Sequence, residues 1–323
     1  MRTFMKFGLI AALLASAVSL SNVQASAQNL ELTITAPAGA GGGWDSAARS
    51  LQEAMRVSGN AKSVQVVNVP GAGGTVGLAQ FIGTAKGSPN QLLVAGITLV
   101  GASISNKSPV DLTKVTPIAR LTGDPLVIVV PKDSPIKTIA DLLATIKTDV
   151  AKTIWVGGSA GGADHILAAL VTKAAGAEPA MVNYVAYSGG GESLAAMLGG
   201  QATAGISGYG EWEGQIKSGD LRALAISYPE AIPGIEAQPL KAQGLDIELV
   251  NWRGIFAGPG VEGADLEALK TAIDKTVKSD QWQAILKTRG WTDYYASSDE
   301  FKTFIASETG RVQTILKSIG LAD

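Results

Sequence analysis

The chain has no cysteine and a single histidine, His165. The first absence excludes disulfides, a lipid carried on a cysteine, thiol catalysis and Cys-ligated metal sites. The two together argue against a transition-metal centre, whose softer ligands come from those residue types. Charge is also sparse. Asp, Glu, Lys and Arg make up 17% of the sequence, without a run of one sign and without the basic stripe that nucleic-acid binding needs. Beyond the first twenty residues no stretch is long and apolar enough to cross a bilayer. There is no internal repeat and no low-complexity tract.

What the sequence has in quantity is apolar residues, 46%, and glycine, 39 of 323 residues. That length and composition support two compact domains rather than disorder. The first residues set the compartment. Arg2 and Lys6 flank the start of an apolar run, Phe7 to Leu20, and Ala25-Ser26-Ala27 is a small-residue cleavage signature. The pattern predicts a signal peptide over residues 1–27, cleaved near Ala27-Gln28, and hence an exported protein; an uncleaved anchor is the alternative, disfavoured by the shortness of the run. Removing the leader takes away two cations and leaves 24 Lys and Arg against 28 Asp and Glu, a formal net charge of −4.

Strand and helix signals then alternate. Leu30, Leu32 and Ile34 alternate with polar neighbours as in a strand, and Trp44, Ala48, Leu51 and Met55 recur at helical spacing. Further strands are expected at Val64–Val67, Leu92–Ile97, Pro117–Leu121, Leu126–Val130, Ile154–Val156, Val182–Val185, Ala202–Ile206, Leu221–Ile226 and around Trp252–Ala257. Helices are expected at Thr138–Thr148, Ala163–Ala175, Glu192–Leu198 and Glu211–Lys217. Two long helices close the chain, the last opened by Ser297 and Glu300 at capping-box spacing. The pattern predicts an α/β fold of mixed, mostly parallel sheets. Its boundaries divide the chain into residues 28–125 plus 229–323 as one domain and 126–228 as the second. Ligands of such sheets sit at the strand ends that lead into helix N-termini.

Four glycine-rich loops fall at those positions: Pro37-Ala38-Gly39-Ala40-Gly41-Gly42-Gly43-Trp44-Asp45, Pro70-Gly71-Ala72-Gly73-Gly74-Thr75, Gly157-Gly158-Ser159-Ala160-Gly161-Gly162 and Tyr187-Ser188-Gly189-Gly190-Gly191. Glycine lets the backbone approach a ligand closely, and a helix N-terminus adds unpaired N–H donors and partial positive charge. Together they make an anion site without Lys or Arg. The first loop lacks the Gly-Lys-Ser/Thr ending of a nucleotide P-loop and the spacing of a dinucleotide fold. Asp45 is expected to cap the first helix and hold its loop, with direct ligand contact as the alternative. Gly157-Gly158-Ser159-Ala160-Gly161 matches the serine-hydrolase elbow, but the only histidine lies six residues later on the same segment, where nucleophile–base geometry is not expected. Ser159 reads better as a hydroxyl donor to a carboxylate, and His165 as a packed residue. Trp44, Tyr187, Trp212 and Trp252 are pocket-wall candidates with core packing as the default. Arg253 is a candidate cation for a carboxylate, or else part of a structural ion pair.

The segments Ala36-Pro37-Ala38-Gly39, Gly41-Gly42-Gly43-Trp44-Asp45, Asn68-Val69-Pro70-Gly71-Ala72-Gly73-Gly74, Ala186-Tyr187-Ser188-Gly189-Gly190-Gly191, Leu198-Gly199-Gly200-Gln201 and Asn251-Trp252-Arg253-Gly254, in this order, closely resemble the TctC-like family. These are the periplasmic receptors of tripartite tricarboxylate transporters, also called Bug proteins, and the similarity spans essentially the whole mature chain. The resemblance implies a two-domain periplasmic binding protein fold with the ligand in the cleft. It also implies two integral membrane subunits as partners, a monomeric receptor, and no cofactor, metal or catalysis. The ligand-binding set it suggests is Ala38, Gly39, Gly41, Gly42, Gly43, Trp44, Asp45, Gly73, Thr98, Ser159, Ala160, Gly161, Gly162, Tyr187, Ser188 and Ser207. Trp44 and the Asn251-Trp252-Arg253 segment look closer to the tricarboxylate receptors and favour a citrate-like di- or tricarboxylate. Ser188 stands where many relatives carry lysine, which leaves ligand charge and size open. A sensor feeding a membrane kinase would use the same fold.

Overall fold

The structure, a computed structural model, describes residues 30–323, so the expected signal peptide lies outside the described residues. Strand β1 (Glu31–Ala36) buries Leu32, Ile34 and Ala36 and turns Glu31, Thr33 and Thr35 outward, the period of a half-buried strand. It pairs in parallel with β2 (Ser63–Asn68) and β3 (Gln91–Gly96). Helix α1 (Gly43–Ser58) crosses from β1 to β2 on a buried stripe of Trp44, Ala47, Ala48, Leu51 and Met55, and ends at left-handed Gly59. Helix α2 (Thr75–Thr84) crosses from β2 to β3. Helix α3 (Ile97–Ser105) then follows β3 directly, with Gly96 as N-cap. The sequence reading carries the strand to Ile97 and has no helix there, because the unbroken apolar run supplies no capping side chain to mark the change.

Strand β4 (Thr116–Pro131) is one strand where the sequence reading has two. Through Pro125 it pairs antiparallel with β9 (Val250–Ala257) and β10 (Thr292–Ala296). From Leu126 onward it pairs antiparallel with β7 (Ala204–Gly208) and β8 (Leu221–Ile226). It thus belongs to both halves of a ten-stranded sheet of order β2-β1-β3-β9-β4-β7-β5-β6, with β8 and β10 also on β4. In the second half β5 (Ile154–Gly157) pairs in parallel with β6 (Asn183–Ala186) and β7. Helices α4 (Ile139–Thr148), α5 (Ala163–Ala174), α6 (Gly190–Leu198) and α7 (Tyr209–Ser218) connect these strands. The expected cap of α4 is present: Asp141 donates its N–H to Thr138 Oγ1 at 3.2 Å, and Thr138 donates its own to Asp141 Oδ2 at 2.9 Å.

The chain closes with α8 (Gly263–Val277), α9 (Asp280–Arg289), β10 and α10 (Ser298–Ser318), one helix and one strand more than the sequence reading has. Ser297 and Glu300 form the expected box at the start of α10. The sheet is mixed, and parallel pairing is less extensive than the βα alternation predicts. It is confined to the flanks, because the central β4 and β9 are long strands that run antiparallel to their neighbours.

Leu126, Ile128 and Val130 pack into the main core, while Val127 and Val129 face a second cluster with Trp212, Met197 and Ile226. Both faces of β4 are covered here, which is why its sequence is apolar without alternation. The chain returns to the first half beside this strand: Ser227 donates its N–H to the Leu126 carbonyl at 2.9 Å and accepts that of Leu249 at 3.0 Å. Among the described residues no helix is long and apolar enough to cross a membrane.

Candidate functional site

A cavity of about 660 Å³ lies between the two halves of the sheet, where strands lead into helices. All four glycine loops reach it. Ala38, Gly39, Gly43, Trp44 and Gly73 line it from the first half, together with Thr98 at the start of α3. Ser159, Ala160, Tyr187, Ser188 and Ser207 line it from the second.

Five residues of the expected set do not line it, and the hydrogen bonding explains each. Gly42, not Asp45, is the N-cap of α1. Asp45 is buried behind the first loop, where Oδ2 accepts from the Gly41 N–H at 2.8 Å and from Arg49 Nε at 2.9 Å, and Oδ1 accepts from Asn68 Nδ2 at 2.9 Å. Burial pushes this carboxyl up, but the bonds from Arg49, Gly41 and Asn68 outweigh it and hold it below the ordinary aspartate value. The Gly41 amide is therefore consumed inside the loop, as is that of Gly42, which donates to the Gly39 carbonyl at 3.2 Å. Gly43 and Trp44, the first residues of α1, keep N–H groups with no intrahelical acceptor.

The third loop behaves alike. Gly161 donates its N–H to His165 Nδ1 at 3.1 Å and Gly162 to the Ser159 carbonyl at 2.9 Å, so Ser159 and Ala160 are left on the wall. His165 stacks on Tyr184 with ring centroids 4.3 Å apart. Burial lowers its pKa to about 4, so near neutrality the ring is uncharged and accepts at Nδ1. Among the described residues no hydrogen bond joins it to Ser159.

Trp44 ties two loops together. A Cβ on Gly74 would lie 2.6 Å from the Trp44 ring, and Gly74 has φ +94°, so both space and backbone require glycine there. Trp212 and Trp252 are core residues: their Nε1 groups donate to the Gly190 carbonyl at 2.9 Å and to Glu308 Oε1 at 3.2 Å.

The structure adds charged groups that the sequence reading does not assemble. Arg253 lines the cavity yet is only 3% exposed, and Nη2 donates to Asp124 Oδ2 at 2.5 Å. The structural ion pair, one of the two sequence-based alternatives for Arg253, is therefore present, on a residue that also reaches the cavity wall. Its Nη1 and the Asp124 Oδ1 have no partner among the described residues. Asp164 and Glu211 also line the cavity. Glu211 Oε2 accepts from Ser207 Oγ at 2.6 Å, and Asp164 Oδ2 accepts from the Gly158 N–H at 2.7 Å. Burial raises Asp124 to about 6 against the pull of Arg253, and raises Asp164 to about 7, with nearby Glu211 and Asp124 adding to the effect. Asp164 carries no sequence signal; it sits in the first turn of α5, an ordinary place for an acid. Pro70–Ala72 of the second glycine loop and Asn251 also line the wall, as does Asn106, which carries no sequence signal. Among the described residues no group of three or more His, Asp and Glu side chains is placed to hold a metal ion.

The profile described as Tripartite tricarboxylate transporter family receptor matches residues 47–321. The chain belongs to that family. The match begins just after the first glycine loop and takes in the other three. Protein BugT of Bordetella pertussis is 26% identical over 278 residues, which is 84% of this chain and 83% of BugT. The solved periplasmic binding protein BugD has the same fold, with a TM-score of 0.81 at 22% identity over 90% of this chain and 98% of BugD. An R. palustris protein solved with adipate has a TM-score of 0.83 at 18% identity, over 90% and 98%. Receptors of this family bind small solutes and work with membrane transporter components.

Proposed function

We propose that this chain is an exported receptor that captures a small di- or tricarboxylate of citrate type and delivers it to two integral membrane subunits, acting as a monomer and without catalysis or cofactor. The observation that carries the reading is the meeting of four strand-to-helix loops, from both halves of the sheet, around one cavity. Backbone donors at the starts of α1 and after β5 suit carboxylate oxygens at two ends of a short acid. Arg253, whose side chain reaches the same wall, suits a third. The cavity volume falls in the range of small-molecule sites, roughly 300–1,000 Å³, and leaves room for bridging water.

On this reading residues 28–125 with 229–323 and residues 126–228 are two domains. They close by bending near Gly123–Leu126 and Tyr228, where β4 and the return segment pass between the halves. The ligand contacts are Ala38, Gly39, Gly43, Trp44, Gly73, Thr98, Ser159, Ala160, Tyr187, Ser188 and Ser207. Export from the cytoplasm rests on the leader residues. A thermal-shift screen of organic acids tests the proposal. A true ligand at 100 times its Kd raises stability by about 2.7 kcal/mol. A shift produced by an amino acid or an aromatic acid, with none from citrate, malate or adipate, contradicts the substrate class.

A further inference from the structure

The cavity of a carboxylate receptor is expected to be electropositive, yet the charged side chains on this wall are one cation and two acids, Arg253, Asp164 and Glu211. The cation is already paired with a third acid, Asp124, behind it. The three acids are not equally provided for. Asp124 has Arg253. Glu211 accepts from Ser207, and its carboxylate lies against Gly43 and Gly190, the first residues of α1 and α6, where helix N-termini place positive charge. Asp164 has one backbone N–H, from Gly158, and no cation; its other oxygen has no protein partner among the described residues.

The groups around Asp164 on every side offer it nothing more. On β6, Tyr184 donates its hydroxyl to the Gly158 carbonyl at 2.8 Å. On α5 itself, His165 is turned to Gly161 and Tyr184. On α3, Thr98 Oγ1 accepts from the Ala163 N–H at 3.3 Å. Glu211 on α7 and Asp124 on β4 are like charges, and Arg253 on β9 is committed to Asp124. A ligand carboxylate brought into this cavity meets an acid with a vacant oxygen and no counter-ion. Two carboxyl groups held at close range share a proton rather than both ionise.

We propose that Asp164 is a ligand-binding residue of this receptor that acts as a proton-carrying donor: its carboxyl hydrogen-bonds one carboxylate of the solute, and binding takes up a proton from solution. The proposal rests on the receptor reading above and gives it a pH dependence. The free carboxyl already titrates near neutrality, because burial raises it to about 7, and the shared proton raises it further in the complex. Affinity therefore falls as pH rises, with Kd weakening by up to tenfold per pH unit above about pH 7. Ser159 and the backbone donors do not titrate and predict no such slope.

Calorimetric titration of the mature chain with malate and with citrate, at pH 6, 7 and 8 and in two buffers of different ionisation enthalpy, counts the protons taken up per ligand. The expected result at pH 8 is uptake of close to one proton by the wild type. Asp164→Asn, which keeps a donor but cannot titrate, should take up none at pH 8 and should lose the weakening of malate binding between pH 7 and 8. Glu211→Gln should keep the uptake. Zero uptake in the wild type, uptake that survives Asp164→Asn, or uptake lost in Glu211→Gln overturns the assignment. Failure of every acid to bind at any of the three pH values sinks the receptor reading, and this inference with it.

Discussion

Arg253 Nη2 and Asp124 Oδ2 meet at 2.5 Å, with 3% and 1% of the two side chains exposed, beneath the cavity where β4 leaves β9 for β7 and β8. A buried pair of this kind adds little net stability compared with apolar packing, but losing one partner strands the other charge. Asp124→Ala is expected to lower unfolding stability by about 3–5 kcal/mol, measured by urea denaturation. The double variant with Arg253→Met should recover most of that loss. Equal losses in the single and double variants would show that the pair is not the unit acting here.

Asp45 touches no part of the cavity, yet it shapes the first loop by accepting from Gly41, Arg49 and Asn68. Asp45→Ala leaves the part-buried Gly41 amide without an acceptor and leaves Asn68 Nδ2 with the Ala38 carbonyl alone, a loss of about 1–3 kcal/mol. Ligand affinity should fall at least tenfold, because Gly43 and Trp44 lose their fixed direction. Asp45→Asn, with one acceptor oxygen, should fall between. Calorimetry and thermal melts on the same samples check both effects, and unchanged affinity in the alanine variant contradicts the role given to this loop.

Gly101, in α3, packs against the carbonyl of Gly161 across the gap between the halves; a Cβ there would collide with that backbone oxygen. Ala is a better helix former than Gly by about 1 kcal/mol, so Gly101→Ala should not lower the melting temperature of the free protein if the halves can separate. It should weaken ligand binding tenfold or more and leave the radius of gyration, by small-angle X-ray scattering, unchanged on adding ligand. A large drop in melting temperature with normal affinity would mean that the halves do not part.

The folded-state value of Asp164, about 7, lies above that of an unfolded aspartate, near 3.9. The folded chain therefore holds more protons than the unfolded chain between those limits, and this residue's contribution is fully present below about pH 4 and is lost as pH rises through about 7. In the ligand-free protein, the stability of Asp164→Asn relative to wild type should rise as pH goes from 4 to 8, read from melting temperatures. A pH-independent difference would show that folding does not raise this carboxyl.

Much of the fold is legible where the sequence carries local chemistry. Thr138 with Asp141, Ser297 with Glu300, and the four glycine turns each mark a junction through backbone needs that only a few residue types meet. What is hidden lacks such a mark. Helix α3 starts inside an apolar run with no capping side chain, and β4 is punctuated by Pro117 and Pro125 yet continues: its register against β9 shifts beside Pro117, and Pro125 stands where β4 exchanges β9 for β7 and β8. The site divides the same way. The loops announce themselves, but glycine composition does not tell which amides are consumed locally, so Gly41, Gly42, Gly161 and Gly162 read as ligand contacts when their N–H groups are already bonded. Asp124, Asp164, Glu211 and Arg253 come from four distant segments and share no spacing. Only the crossing of β4 and β9 with the second half brings them together.

Carboxylate capture in this cavity is tested most directly by calorimetric titration of the mature protein with citrate, malate and adipate, beside their uncharged amides, in the wild type and in Ala160→Glu. Ala160 is exposed and lines the cavity, so a glutamate there sets a fixed negative charge in the site without disturbing the core. The account predicts saturable one-to-one binding of at least one acid by the wild type, no binding of its amide, and at least a hundredfold weaker binding by Ala160→Glu at unchanged melting temperature. Equal binding of acid and amide, or full affinity in Ala160→Glu, would contradict it.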